Sequence, residues 1–580
     1  MIWISCILTH YKKEVDNKMK NIIKKFIGII IAFSMLTFVA SCFEGERNIT
    51  PPDDKANNEI ELYPIAYLDV NQEDDMEKFW AQTRKDNGKG GTVSHDDAHD
   101  YGFVDSVWHT LKINQTDVAV YSTRCGFDIH SFAWIDILVN GEFEIDIELS
   151  LMQGDKTTCV VLPEKSQVNA QLENNVVRAT LTEYGSYSFT FDESPEMALT
   201  LYVGQKLDFE IPEGYSLEYL EPDTYTAEQT TFSESNKVYY FKSGNYDVTS
   251  IGLPSNSVMY MESGAYFRVY QDGIGDYSAA LYNTGTENIK VMGRGIFDFS
   301  KCIGGDAKTK GVFSFSRCQN IDFSGVVSIN SNNWTLCFWY CQNVKVSQCM
   351  IFGYRTYSDG VMFSDCRDSY ASDCFVRTGD DGMEVKSFTA STDENCSTKN
   401  VVFENNNVWT DKGIAYGCIY ESVHDVEDVY FKNNAVGFAQ SAWSDHLGVC
   451  VIQMGSSKAS TWQNIYFENI EAYKINCSLL SVFNRANNDN EGGLIKNIYF
   501  KNVSAKHIEQ TNLPLYALNI VIKINNNAPS TNSRIGRLYL DNIDYAGILI
   551  TDENINEHLN CNISEGAAFT TNNIKINTLA

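Results

Sequence analysis

The sequence predicts an all-β protein, an N-terminal β-sandwich followed by a right-handed parallel β-helix. Three observations carry this expectation. Short alternating strands recur about every ten residues up to about residue 225. From about Tyr239 the texture changes to one turn-rich unit that repeats to the end of the chain. Within that repeat, Asp359 and Asp380 stand 21 residues apart, about the length of one coil, and stacked coils sit about 4.8 Å apart.

At 580 residues the chain is too long for one ordinary core, so two structural units plus leader material are expected. It is 43% hydrophobic and 21% charged, the balance of a folded protein. A formal net charge of −30 argues against nucleic acid or an anionic membrane surface as a partner and favours solubility.

Residues 1–42 look like a leader. Met19-Lys20-Asn21 with Lys24 and Lys25 is a basic start, and Met19 is the expected initiator. Phe26 to Val39 is an apolar run too short to span a bilayer comfortably. Val39-Ala40-Ser41-Cys42 resembles a bacterial lipobox, with cleavage before Cys42 and lipidation of its thiol; a plain secretory signal is the alternative. Residues 43–58 then serve as a flexible tether. The expected location is extracytoplasmic, at the bacterial envelope, with the membrane contacted through the lipid alone. A monomer is expected.

The sandwich is assigned to residues 59–225. Ile135-Asp136-Ile137-Leu138-Val139 and Phe143-Glu144-Ile145-Asp146-Ile147 alternate as half-buried strands do. Asn140-Gly141 between them is a hairpin signal. The β-helix is assigned to residues 226–580. Its repeat includes Asn288-Ile289-Lys290-Val291, Asn320-Ile321-Asp322-Phe323, Asn343-Val344-Lys345-Val346, Asn464-Ile465-Tyr466-Phe467 and Asn497-Ile498-Tyr499-Phe500. Each is a polar turn residue followed by an alternating strand, so the asparagines are expected to stack as turn residues. One coil cannot bury its inner face, but a stack can. The cysteines form no paired zinc pattern, since Cys337 and Cys341 lack companion ligands. Several fall in the repeat and are expected as buried free thiols. No metal and no cofactor is called for.

The chemistry lies in Ser358-Asp359-Gly360 and Thr378-Gly379-Asp380-Asp381-Gly382. Stacking brings the three carboxylates to one wall. Adjacent strand residues face opposite sides, so the chain must turn for Asp380 and Asp381 to share a cleft, and Gly379 and Gly382 permit that turn. Crowded carboxylates do not all ionise, which leaves an acid beside a base, the pair glycoside hydrolysis requires. Each motif alone is a common turn; Asp365, Asp368 and Asp373 nearby are assigned to turns or solvent. Trp409, Tyr416, Tyr420 and Trp443 follow by one or two coils, either as sugar platforms or as core. His424 and His446 are expected on solvated turns.

Asn333-Trp334-Thr335, Gln342-Asn343-Val344-Lys345-Val346, Ser358-Asp359-Gly360 and Thr378-Gly379-Asp380-Asp381 with Lys386-Ser387 resemble the polygalacturonase family. With the dextranase and isopullulanase family it forms a clan of inverting β-helix hydrolases. Gly293-Arg294-Gly295-Ile296-Phe297-Asp298 is similar to an early coil of that clan. The resemblance implies that Asp380 donates the proton, that Asp359 and Asp381 activate water, and that Lys386 sits near the acids or the substrate. It also implies departures. Ala415-Tyr416-Gly417 stands where polygalacturonases carry Gly-His-Gly, with Tyr416 in place of the histidine. Gly448-Val449-Cys450-Val451-Ile452-Gln453 stands where they carry Arg-Ile-Lys and has no cation. A uronate carboxylate would be left poorly paired. A sandwich ahead of the helix also resembles the dextranase side, so a neutral polysaccharide such as an α-glucan is the expected substrate. A polygalacturonase-like pectin hydrolase and a non-catalytic glycan-binding β-helix are the alternatives. A lyase ranks lower, because no basic cluster accompanies the acids.

Overall fold

Why the asparagines recur becomes clear from the backbone. Asn288, Asn320, Asn343, Asn400, Asn464 and Asn497 all adopt φ between +55° and +57°. This left-handed region is one that asparagine tolerates far better than branched residues. Their side chains then join coil to coil. Asn320 Nδ2 donates to Asn288 Oδ1 and Asn343 Nδ2 to Asn320 Oδ1, each at 2.7 Å. A second ladder runs through Asn433, Asn469, Asn502 and Asn542 at 2.7–2.9 Å. The repeat read as turn residues is therefore a pair of asparagine ladders along the stack.

The computed structural model describes residues 60–62 and 102–577, except 126–127, 140, 207–208, 271–278, 303–311, 388–395, 442–446, 456–459, 486–492, 513, 524–533, 565–568 and 570. The leader, Cys42 and the tether lie outside the described residues.

Between these turns the strands form two long sheets, almost wholly parallel, of 24 and 10 strands. Each coil adds rungs in register, for example Phe313–Ser316 on Leu336–Trp339 on Val361–Ser364 on Met383–Ser387. This is the parallel β-helix. Alternate residues point inward, and identical side chains stack. Phe403, Phe431, Phe467 and Phe500 follow one another with ring centroids 4.7–5.2 Å apart. The described cysteines are all free, and Cys318, Cys341, Cys349, Cys366 and Cys374 are buried in the stack, as expected for small apolar fillers.

The sandwich consists of a 7-stranded and a 5-stranded sheet closed over Leu111, Ile135, Leu149, Phe189 and Leu201. One expected element is corrected. Asp128–Ile137 belongs to the first sheet and Ile145–Leu151 to the second. The chain around Gly141 therefore crosses between sheets instead of closing a hairpin; Asn140 lies outside the described residues. The helical stack also begins earlier than residue 226, since Ser216–Leu220 already pairs in parallel with Lys237–Phe241.

The sandwich lies against the outer wall of the helix. Phe132, Trp134 and Tyr202 pack with Phe352, Phe375 and Trp409. Arg294 reaches across to Asp136 through two hydrogen bonds of 2.8 and 2.6 Å. Arg377 meets His130 at 2.8 Å. These contacts lie on strands of the 24-stranded sheet, Met350–Phe352, Phe375–Thr378 and Asn407–Thr410.

Candidate active site

The acids sit in corresponding turns of successive coils, just before strands of the ten-stranded sheet. Three backbone bonds fix their order. Thr335 N donates to Asp359 O at 2.9 Å, Gly360 N to Asp381 O at 2.8 Å, and Gly382 N to Ile414 O at 2.8 Å. Asp359 therefore lies one coil from Asp381. The glycines act here by close approach. A Cβ on Gly379 would lie 2.6 Å from the Tyr354 carbonyl carbon, and one on Gly413 would lie 2.3 Å from that of Asp380. Neither Gly379 nor Gly382 adopts a positive φ, so the turn freedom expected of them is not what the fold uses.

The carboxylates share one buried patch but differ in exposure. Asp359 is 2% exposed and Asp381 is 5% exposed, whereas Asp380 is only half-buried. Asp359 Oδ2 accepts from Lys386 Nζ at 3.1 Å. Asp381 Oδ1 accepts from Ile414 N at 2.9 Å. Asp380 Oδ2 accepts from Tyr357 N at 3.2 Å. Burial is the main influence on all three, and it disfavours the anion. It pushes Asp359 well above the usual carboxylate range, with Lys386 opposing and Glu384, Asp380 and Asp381 adding to the rise. Asp381 is also raised well above that range, by burial and then by Asp380 and Glu384, against Lys386. Asp380 is raised by burial against Lys386, the Tyr357 N–H and Lys412. The group therefore retains protons where isolated carboxyls have lost theirs.

Glu384 is the residue sequence reasoning missed. It is fully buried, and its Oε1 lies 3.2 Å from Lys386 Nζ. A signal was present. Met383 and Val385 face the interior of the stack, so the two-residue period puts Glu384 and Lys386 together on the outer face. One oxygen from each of Asp359, Asp381 and Glu384 lies within 4.8 Å of the others. That spacing could hold a cation, but the Lys386 ammonium already contacts two of the three and supplies the positive charge.

The aromatic expectations divide. Trp409 is fully buried against the sandwich, between Phe375 and Phe438 and beside His130. Tyr416 faces the interior of the helix, and its hydroxyl donates to Asn406 O and Ala435 O at 3.0 and 3.1 Å. Neither lines a cleft: Tyr416 points into the stack by strand alternation, whereas Trp409 points outward and is covered by the sandwich. Tyr420 is half-buried, at φ +50°, and lies in the electrostatic reach of Asp380 and Asp381. Trp443 and His446 lie outside the described residues. Asp365 holds a turn at φ +53°, as assigned, but its carboxylate is buried, and His424, expected to be solvated, meets it at 2.8 Å in a part-buried pair.

Other aromatic residues stand beside the acids. Lys386 Nζ lies 4.4 Å from the Trp334 ring centre, and Trp334 packs on Trp339 with ring centres 5.6 Å apart. Tyr357 precedes Ser358-Asp359 and is 43% exposed. An acid with a half-open carboxyl, two shielded carboxylates, a buried ammonium and flanking rings can perform acid–base hydrolysis of a sugar bond.

The family model described as glycosyl hydrolases family 28 matches residues 278–577, just over half of the chain. Dex49A from Penicillium minioluteum is similar in structure, with a TM-score of 0.57 at 11% identity, covering 91% of this chain and 100% of that one. A hyperthermoactive exopolygalacturonase from Thermotoga maritima gives a TM-score of 0.44 at 15% identity, covering 54% of this chain and 85% of that one. A GH87 α-1,3-glucanase from Streptomyces thermodiastaticus gives 0.37 at 10% identity, with 82% and 84% covered. No curated protein sequence matches the chain. With its parallel β-helix and its clustered acids, the chain belongs to glycosyl hydrolases family 28.

Proposed function

We propose that the protein is an inverting hydrolase of a neutral polysaccharide such as an α-glucan, with Asp380 as general acid and Asp359 and Asp381 as the groups that activate water. The observation that carries this reading is the unequal exposure of the acids, with Asp380 half-buried and Asp359 and Asp381 almost fully so. A group that protonates the leaving oxygen must reach substrate while holding its proton. Asp380 is partly open, and burial raises its proton affinity. Burial raises the proton affinity of Asp359, and Lys386 opposes that rise as the counter-charge its anion needs when it takes a proton from water. The exposed ring of Tyr357 is a sugar platform in this reading.

A neutral substrate is favoured by the outer face of the next coils. There the strand positions beside the acids are Gly417, Val451 and Gln453, which carry no cation. One observation favours the pectin alternative. Lys412 acts on Asp380 and Arg485 on Tyr420, so two cations stand at the margin of the site. A panel of α-glucans and homogalacturonan, with products followed by proton NMR, tests both. The expected result is release from an α-glucan with the opposite anomer formed first. Turnover of homogalacturonan alone would move the assignment to the pectin alternative. Retention of configuration would remove the water-activating roles of Asp359 and Asp381.

We also propose that the enzyme is held at the bacterial envelope by lipid on Cys42. The basic, apolar and small-residue order of residues 19–42 supports this. A Cys42→Ser variant expressed in a bacterial host is expected to leave the membrane fraction. If the variant stayed there like the wild type, the anchor would lie elsewhere.

A further inference from the structure

The strand Met383–Ser387 presents Glu384 and Lys386 side by side to the acid turns. None of the proposed steps needs Glu384. It is fully buried, so it touches no substrate, yet it lies against the ammonium that also serves Asp359. A buried carboxyl beside three others costs stability unless the arrangement gives something in return. We propose that Glu384 is a positioning residue that shares the Lys386 ammonium with Asp359 and so sets the acid limb of the hydrolysis.

The groups around it define the effect. Asp359 approaches from the preceding coil and Asp381 from the turn of its own coil, each within 4.8 Å. Cys337, two strands away on the same face, feels Asp359, Glu384 and Lys386. Met362 and Gly417 are the directly paired neighbours of Glu384 and are uncharged. Lys412 acts on Asp380, and the Tyr420 hydroxyl is held up by burial and by Asp381 and Asp380, against Arg485. Lys386 is therefore the cation in contact with Glu384, and it cannot serve Asp359 fully while it also serves Glu384. The negative charge of Glu384 raises the proton affinity of Asp359 and of Asp381. The main influences on Asp380 are burial, Lys386, the Tyr357 N–H, Lys412 and the Asp381 N–H, so Glu384 acts chiefly on the other two acids. Its effect should fall on the base side of the reaction and spare the acid.

This inference rests on the hydrolase reading, and two measurements on the full chain keep the two separable. The first is the pH profile of kcat/KM for wild type, Glu384→Gln and Glu384→Asp. Neutralising Glu384 should move the acid limb down by roughly one pH unit while the basic limb stays. The charge-retaining aspartate should keep the acid limb near that of wild type. A loss caused by damaged packing would lower the whole profile without moving one limb. The second is the melting temperature against pH, which needs no substrate. Asp359 and Asp381 have folded-state proton affinities raised above the unfolded value. Their contribution is therefore full below about pH 4 and is lost as pH rises through the raised values. Glu384→Gln should lessen that loss, so its melting temperature should gain on wild type as pH rises. Parallel melting curves, or an acid limb that stays in place, would overturn the proposal. If the wild type hydrolyses no polysaccharide, the hydrolase reading fails and the melting curves alone decide whether Glu384 tunes the cluster.

Discussion

Replacing Asp380 with asparagine should lower kcat on the natural polysaccharide about 10³-fold while leaving KM and the fold nearly unchanged. The size follows from the role, since a positioned general acid contributes on the order of 10²–10⁴. The fold should persist because Asp380 is half-buried and its carboxylate is held by backbone N–H groups, with Oδ2 accepting from Tyr357 N at 3.2 Å. An asparagine carbonyl oxygen accepts the same bond. The turn itself is held through the backbone of Asp380, whose carbonyl accepts from Thr378 Oγ1 and Thr410 Oγ1 at 2.8 and 3.0 Å. Leaving-group chemistry makes the test specific. An aryl glycoside whose phenol departs without protonation should recover most of the lost rate in Asp380→Asn. The same substrate should not rescue Asp359→Asn or Asp381→Asn, because those variants lose activation of water. Unchanged turnover of polysaccharide by Asp380→Asn would remove it as the acid, and rescue of all three variants alike would merge the roles assigned to them.

Much of the fold was legible because a β-helix repeats its physics. Asn320 and Asn343 sit at positive φ in the same place on successive coils, and asparagine suits both that conformation and the ladder bond. Recurrence therefore exposed the coil. The sandwich is non-repetitive, and its local signals misled. Asn-Gly between two alternating runs describes a hairpin equally well as a crossing between sheets. Only the pairing of Ile145–Leu151 with Val176–Leu181 and His109–Ile113 decides between them.

The acids were legible for the same reason. Asp359 and Asp381 occupy equivalent turns, so a coil-length spacing implied a shared wall. The aromatic residues were not, because facing depends on where each strand begins. Tyr416 pairs with Met383 and so points into the stack, whereas Gly417 pairs with Glu384 on the outer face. Trp409 faces outward, but the sandwich covers that wall. No spacing in the sequence reveals which wall a second domain will cover.

Lys386→Met should destabilise the protein by about 3–5 kcal/mol at neutral pH, the usual result of removing one partner from a buried ion pair. Lys386 is 3% exposed, and its Nζ lies 3.1 Å from Asp359 and 3.2 Å from Glu384. Methionine fills much of the lysine stem and can rest on Trp334 as the lysine does, so packing loss should be small. What disappears is the charge that offsets Asp359, Asp381 and Glu384. Lys386 lowers the proton affinity of Asp359 and Asp381, so its removal raises both further above their unfolded values. Carboxyls with raised folded-state values stabilise the fold below about pH 4, and that stability is lost as pH rises. The variant should therefore lose more than wild type between pH 4.5 and pH 7.5, as read from urea midpoints at the two values. A deficit of equal size at both would trace the effect to the missing stem and not to charge. The ammonium would then be incidental to the acid cluster, and the sharing of Lys386 between Asp359 and Glu384 would lose its basis.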